Sequence, residues 1–592
     1  VRFEGDKVAL VVAESKTAAA AAAKLVAVTY EDLPAVTDPR AAMAPEAPVV
    51  HERLGANVLL HLPIRKGDNA RGFAEADVVL QDEFQTTWQE HAFLQPEAGI
   101  AYVDEQGRVV VETAGQWLHE DRRQIAHMLE LPEEQVVIRY AAVGGAFGGR
   151  EDLSIQHLLA LAAWKLGRTV AMVWSREESM IGHHKRHPFT IRCRWGARRD
   201  GTITALEAEV LGDGGAYAST SVEVTKVAAL FANGPYAIEN VAVDGYVVYT
   251  NNIPCGAFRG FGAPQAHFAA EIMVTRLAHA LGVDPVELRR RNIYREGDLE
   301  PTGQPLPAGV SALPVLERCV VEMAQRRKTN DERTLAAQGN AGTSADEPSG
   351  SQYLKRGWGV ACGIKNVGYS FGYPEQATAT VELFGGNTVE HAHVRVGAAE
   401  VGQGTHLAMR QIAAEVLQLP FDKIVLIADD SAEAPNAGSA SASRMTLMGG
   451  RAVHDASLAA LRQWESEERP AQATVQYRPP ATTPLDPITG YGRPNYCYGY
   501  VAQAVEVEVD TRTGQVRVVQ IISVHDVGRA INRQQVEGQI EGCLAQALGY
   551  ALLENFQMRD GKILTPYFST YLLPTAMDMP TEIVPVIMEL AD

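Results

Sequence analysis

Apolar positions along the chain repeat with two periods. Alternation of period two predicts strands at 135–143, 388–396, 502–509, 516–523 and 583–588. Helical spacing predicts helices at 152–167, 265–282, 405–417 and 534–553, the second closed by a glycine. Arg199-Asp200-Gly201-Thr202, Gly385-Gly386-Asn387 and Asp510-Thr511-Arg512-Thr513-Gly514 carry the turn residues of hairpins between adjoining strand-like runs. The opening reads as strand, alanine-rich helix (17–25) and strand (26–30), followed by a Pro/Ala-rich linker at 34–48. Residues 328–350 lack apolar periodicity and are expected to form an exposed connection; the Pro-, Thr-, Gly- and Arg-containing stretch 469–493 is expected to be a long loop. Three units follow: a remnant of an N-terminal α+β subdomain at 1–42, a first domain at 57–310 and a second at 351–592.

A chain of 592 residues accommodates several domains, and 46% hydrophobic with 21% charged residues is the balance of a globular protein. The chain contains no apolar run long enough to span a bilayer and no signal-peptide layout at its start. A net charge of −19 argues against nucleic acid as a partner. None of the six cysteines forms a C-x-x-C pair, which argues against a zinc or iron–sulfur site held by this chain alone. Scattered thiols of this kind suit a reducing cytoplasm.

The candidate chemistry lies in glycine-rich segments. Gly144-Gly145-Ala146-Phe147-Gly148-Gly149-Arg150-Glu151 joins a strand-like run to a helix-like run, and its glycines let backbone approach a bound group closely. Glu151 also reads as an ordinary first-turn acid favoured by the helix dipole. Gly402-Gln403-Gly404 precedes the helix at 405, where free backbone amides suit an anion; a plain strand-to-helix turn is the alternative. Ser439-Ala440-Ser441-Ala442-Ser443-Arg444 supplies small and hydroxyl side chains, as a binding loop or as a flexible one. Gln116 follows a strand, a place where a glutamine is normally solvated. Phe258, Phe261 and Phe371 would by default be core residues. His183, His184 and His187 read as structural or solvated, because Lys185 and Arg186 between them oppose a metal ion.

Taken in order, the Gly144 segment, Pro254-Cys255-Gly256-Ala257-Phe258-Arg259-Gly260-Phe261-Gly262 and Glu400-Val401-Gly402-Gln403-Gly404 resemble the large subunit of the molybdenum hydroxylases, the xanthine dehydrogenase and aldehyde oxidoreductase family. The resemblance covers nearly the whole chain. It implies an elongated, multi-domain α+β fold of mixed sheets with packed helices, and a molybdopterin cofactor carrying molybdenum, in the cytosine dinucleotide form usual in bacteria. Gln403 and Gln539 match pterin-contacting glutamines. Arg259 and Gly402 lie in cofactor-contacting segments. Gln116 matches the glutamine beside an oxygen ligand of molybdenum, and Phe147 and Gly148 line the open side of the metal. Ala442 and Ser443 lie in the loop that wraps the cofactor. The metal is held through the pterin and not by protein side chains. Phe258, Phe261 and Phe371 match rings that sandwich a flat substrate, and Glu151 matches a substrate-binding, catalytic glutamate.

The resemblance also has gaps. Purine-oxidising members carry an arginine where this chain has Ala228, with Lys226 two places away, so a nicotinate-like ring fits as well as a purine. Gly256 stands where the carbon monoxide branch has its cysteine, and Cys255 is one step early. The family's general base, a glutamate, falls shortly after the position matching Asp592, which implies either a companion polypeptide that supplies it or a sequence that is a fragment of a longer chain. Iron–sulfur and FAD partner subunits are implied to carry electrons away. The expected function is hydroxylation of an N-heteroaromatic compound. An aldehyde oxidoreductase and a non-catalytic, cofactor-holding scaffold are the alternatives.

Overall fold

The computed structural model describes residues 1–340 and 353–590, with side chains for all of these except 329–340. Four sheets carry the architecture. Strands Val58–Lys66, Asn240–Tyr249, Ile203–Gly215, Phe189–Ala197 and Val78–Gln85 lie side by side in that order. A second sheet runs Val136–Tyr140, Val109–Thr113, Ala98–Val103, Val170–Val173. The later half supplies the sheet Leu354–Asn366, Tyr498–Asp510, Val516–Asp526, Glu582–Met588 and the sheet Ile424–Ile427, Val389–Arg395, Ala377–Gly385, Ala471–Tyr477. Each sheet is mixed, with one parallel pair. Among the described residues, no helix is long and apolar enough to cross a membrane.

Local sequence explains the elements that frame the cavity described below. Val109–Thr113 and Val136–Tyr140 pair in parallel and are buried at nearly every position, because helices Leu118–Leu129 and Gln156–Leu166 pack on their sheet. Gly167 ends the second helix in the left-handed conformation. Helix Ala263–Leu281 buries Ala266, Ala270, Met273, Val274 and Leu277, at helical spacing. The same core takes in Trp195 and Val210 from the first half and Ile364, Ala502 and Ile522 from the second, so apolar packing joins the two halves.

Several expectations are corrected. Helix Lys16–Ala23 forms, capped by Ser15, but no strand flanks it. Val26, Val28 and Tyr30 are exposed and no neighbouring strand pairs with them; a lone strand would leave its backbone unpaired. The opening has no core of its own: Phe3 packs with Met180, Ile253, Phe556 and Tyr571, and Val36 and Ala42 with Leu211 and Val248. Within the supposed linker, Asp38 caps the short helix Pro39–Ala42. Helix Ala312–Asn340 runs into the expected connection, where backbone propensity outweighs the missing apolar period; the remainder of that connection, 341–350, lies outside the described residues. The expected loop at 469–493 holds strand Ala471–Tyr477, whose alternately buried Ala471 and Ala473 are small enough to hide the strand pattern.

Tyr140 positions the first cavity loop. Its hydroxyl accepts from the Trp117 amide at 3.0 Å and donates to Asp121 at 2.9 Å. Gly115 packs on the same ring so closely that a Cβ there would lie 2.3 Å from the hydroxyl oxygen. Asp121 is fully buried, and burial pushes its carboxyl from an ordinary 3.8 up to about 8, against the opposing hydrogen bond from Tyr140. The folded state therefore holds the proton that the unfolded chain releases, and this contribution to stability is lost as pH rises from about 4 to about 8. Thermal unfolding across that range should show a decline with pH in the wild type that Asp121→Asn lacks. Equal slopes would mean that Asp121 is already ionised in the fold.

Candidate active site

The three glycine-bearing segments and the serine-rich loop, distant in sequence, line a single cavity of about 2620 Å³. Every candidate residue named above contributes to its wall: Gln116, Phe147, Gly148, Glu151, Phe258, Arg259, Phe261, Phe371, Gly402, Gln403, Ala442, Ser443 and Gln539.

Gln116 is the junction of two of these loops. It is 3% exposed; its Oε1 accepts from the amides of Gly148 (3.1 Å) and Arg150 (3.2 Å), and its Nε2 donates to the Ala440 carbonyl at 3.0 Å. One N–H of the carboxamide is left for a bound group. Arg259 joins the next pair. Its backbone amide donates to Phe147 O, and its guanidinium donates to the backbone and side-chain oxygens of Gln539 and to Gln546 on helix Arg533–Leu552. Gln403 is turned inward on its own loop: Oε1 accepts from Val401 N–H, and Nε2 donates to Ala399 O and Thr405 Oγ1.

The free helix-start amides expected after Gly404 are not free. The amides of Gly402, Gly404 and His406 donate to the Glu400 carboxylate at 2.8, 2.9 and 3.0 Å. Glu400 thus supplies the anion itself, a role that its place just before a glycine-framed helix start could have suggested. Lys365 was also missed. It lies in the cavity wall, its ammonium donates to the backbone and side-chain oxygens of Asn366, and burial brings it down to about 7. An isolated lysine in a strand-like run carries no signal for such a position.

Glu151 lies in the turn before helix Gln156–Leu166, outside its first turn, so the helix dipole does not account for it. Half-buried, it accepts from Ser439 Oγ at 2.9 Å. Burial pushes its carboxyl above the usual range, and the hydroxyls of Ser441 and Ser439 draw it part of the way back. Phe258 is already stacked by the chain itself, with the His91 ring at 4.4 Å and the Arg186 guanidinium at 3.9 Å. Phe371 has the Lys226 ammonium 5.8 Å from its ring, and Lys226 pairs with Glu223 at 3.1 Å. Cys255 is buried among backbone carbonyls of Arg186 and Ile253 and does not line the cavity. His184 pairs with Asp152 and His187 with Ser221; both are buried, as is His183.

Left-handed backbone at non-glycine residues gathers on these walls: Phe147 (φ 57°), Phe261 (52°), Phe371 (54°), Ala442 (50°) and Ser443 (52°). Such conformations cost about 1–3 kcal/mol each and persist where the surroundings enforce them. The walls suit a large, flat, polar group. The cavity is roomy, a Cβ on Gly402 would meet nothing within 4 Å, and amide and hydroxyl groups of Gln116, Gln539, Ser441 and Ser443 face the space.

Comparison with known proteins agrees with this geometry. The molybdopterin cofactor-binding domain families match residues 50–293 and, for the second domain, 334–465 and 457–580. A probable xanthine dehydrogenase subunit of Bacillus subtilis is 33% identical over 98% of this chain and 79% of its own length. The nicotinate dehydrogenase large molybdopterin subunit of Eubacterium barkeri is 39% identical over 56% of this chain and 78% of its own. The solved aldehyde oxidoreductase of Desulfovibrio gigas superposes with a TM-score of 0.86 at 30% identity, covering 97% of this chain; this chain spans only 62% of that one. The chain belongs to the molybdenum hydroxylase family of xanthine dehydrogenases and aldehyde oxidoreductases and carries its molybdopterin-binding domains.

Proposed function

We propose that the chain forms the molybdopterin-binding part of a hydroxylase that inserts water-derived oxygen at an electron-poor carbon of an N-heteroaromatic substrate. Electrons pass to an iron–sulfur subunit and on to an FAD subunit. The observation that carries this reading is the position of Glu151. It is an acid of raised pKa on the same cavity wall as Gln116 and Phe147, steadied by two serine hydroxyls.

Molybdopterin with its molybdenum, in the cytosine dinucleotide form, would supply two-electron redox chemistry at the Gln116–Phe147 end of the cavity; the protein supplies binding, orientation and electrostatics. Gln116, Arg259, Gln403 and Gln539 hold the loops that enclose it. Ala442, Ser443, Gly148 and Gly402 let it approach the backbone closely. Phe261 and Phe371 would stack on a flat ring, and Phe258, already packed between its own neighbours, would back that wall. Glu151 would hydrogen-bond a polar ring atom or exocyclic group of the substrate, fixing which carbon meets the reacting end. The likeness to the Desulfovibrio gigas enzyme, with Ala228 in place of an arginine, favours aldehydes as the second reading.

On the complete complex, Glu151→Gln should lower kcat/KM for heteroaromatic substrates by roughly 10- to 100-fold, the worth of one hydrogen bond to a charged or strongly polar group. Turnover of simple aldehydes should be spared; equal loss on both classes, or none, would leave the aldehyde reading in possession. Because burial raises the Glu151 carboxyl above the usual carboxylate range, its ionisation should appear as a limb in the wild-type pH profile of kcat/KM, displaced upward from that range, and the Gln variant should lose this limb. Gly148 has φ 104° and its Cβ would lie 2.6 Å from Ala257 O. Gly148→Val should therefore leave the far-ultraviolet circular dichroism near normal and sharply reduce bound molybdenum. Full molybdenum content in that variant would place the cofactor elsewhere.

A further inference from the structure

Behind the Phe258 wall, outside the cavity lining, Glu90, His91 and His183 meet in the interior. They are 1%, 2% and 5% exposed. One potential ligand atom from each lies within 4.8 Å of the others. The hydrogen bonds made at the far side of each ring decide what the near side offers. His91 Nε2 lies 2.8 Å from the Ala257 carbonyl oxygen, and His183 Nδ1 is bonded to the Ser179 carbonyl. A carbonyl only accepts, so each of these nitrogens must carry the proton. In the neutral rings, His91 Nδ1 and His183 Nε2 are then bare lone pairs, and neither has a hydrogen-bond partner among the described residues.

His183 Nε2 lies 3.1 Å from Glu90 Oε1. Two acceptors face each other at that distance in a dry interior, which is unfavourable unless a proton or a cation stands with them. A proton on His183 would settle that one contact and leave His91 Nδ1 unsatisfied. A single cation shared by one donor atom of each residue would satisfy the group. Imidazoles anchored through one nitrogen to a backbone carbonyl, with the other nitrogen turned to a shared point, are also how protein metal ligands are oriented.

We propose that Glu90, His91 and His183 form a buried site for a divalent transition-metal ion of the zinc class, separate from the molybdenum cofactor. Two imidazoles and a carboxylate are a donor set that such ions accept at about 2.0–2.2 Å, so a small inward shift of the side chains completes the site. Lys185 does not close it. Its ammonium lies 2.8 Å from Glu90 Oε2 and 2.7 Å from His183 O, so it holds the outer carboxylate oxygen and leaves Oε1 to the ion. The Arg186 guanidinium, the other cation adjacent in sequence, is turned away onto the Phe258 ring. Local backbone supports the arrangement: Ala92 is left-handed (φ 52°) and its amide donates to Glu90 Oε1 at 3.1 Å, fixing the carboxylate in place. Through His91, the ion would brace Ala257 and Phe258, and so the cavity wall, from behind.

The test uses the complete complex supplied with Zn²⁺ and then dialysed. Elemental analysis should find one zinc per chain beside molybdenum. X-ray absorption at the zinc edge should show nitrogen and oxygen scatterers at about 2.0–2.2 Å, with imidazole signatures. His183→Asn should lower zinc affinity by at least about tenfold with molybdenum content unchanged, whereas His184→Asn, which alters a histidine paired with Asp152, should keep the zinc. Substoichiometric zinc in the wild type overturns the proposal without reference to any variant. So does undiminished zinc in His183→Asn, or zinc bound through sulfur.

Discussion

One carboxamide holds the cavity together. Gln116 gathers the amides of Gly148 and Arg150 with its oxygen and the carbonyl of Ala440 with its nitrogen. These groups come from the first and second halves of the chain, and no apolar contact could specify their register so closely, because dispersion and burial are non-directional. The Gln116 turn itself rests on Tyr140, which requires Gly115 beside it and Asp121 beneath it. The hydrogen-bonded chain from helix Leu118–Leu129 to the serine-rich loop is thus short and continuous. Arg259 does the equivalent service on the other side, between the Phe147 loop and helix Arg533–Leu552.

The apolar core provides the force and these polar ties provide the shape. Shared packing of Trp195, Met273, Ile364 and Ala502 brings the halves together. Against that background the walls can sustain left-handed Phe147, Phe261, Phe371, Ala442 and Ser443, conformations that an isolated loop would relax. The strain is concentrated where rings and small residues face the cavity, which is where close approach to a flat group matters.

Much of this was legible in the sequence. Periodicity placed the helices at 265–282, 405–417 and 534–553 to within a few residues of the observed Ala263–Leu281, Thr405–Leu417 and Arg533–Leu552, because each has a well-marked glycine or polar boundary. The candidate cavity residues were recognisable through the resemblance of the glycine-framed segments to a known family; from the residues alone, Gln116 reads as solvated and the phenylalanines as core. What stayed hidden depends on partners distant in sequence. Ala471–Tyr477 is a strand because Ala377–Gly385 lies beside it, while 26–30 is not one because nothing does. The role of Glu400 needed the knowledge that the amides after it turn back on its carboxylate. The histidines near 183 read as structural or solvated from the cations beside them in sequence, and His184 and His187 do make structural pairs with Asp152 and Ser221. In space, Arg186 points elsewhere, and Glu90 and His91, some ninety residues earlier, come alongside.

Glu400 carries a consequence for maturation. By occupying the amides at the start of helix Thr405–Leu417, it gives the Gly402–Gly404 bend its finished form within the polypeptide itself. The mould therefore precedes its casting: the entropic penalty of ordering that bend falls on folding and not on cofactor insertion. A pre-set receptacle of this kind favours late loading of an intact, preassembled cofactor over wrapping around it during synthesis.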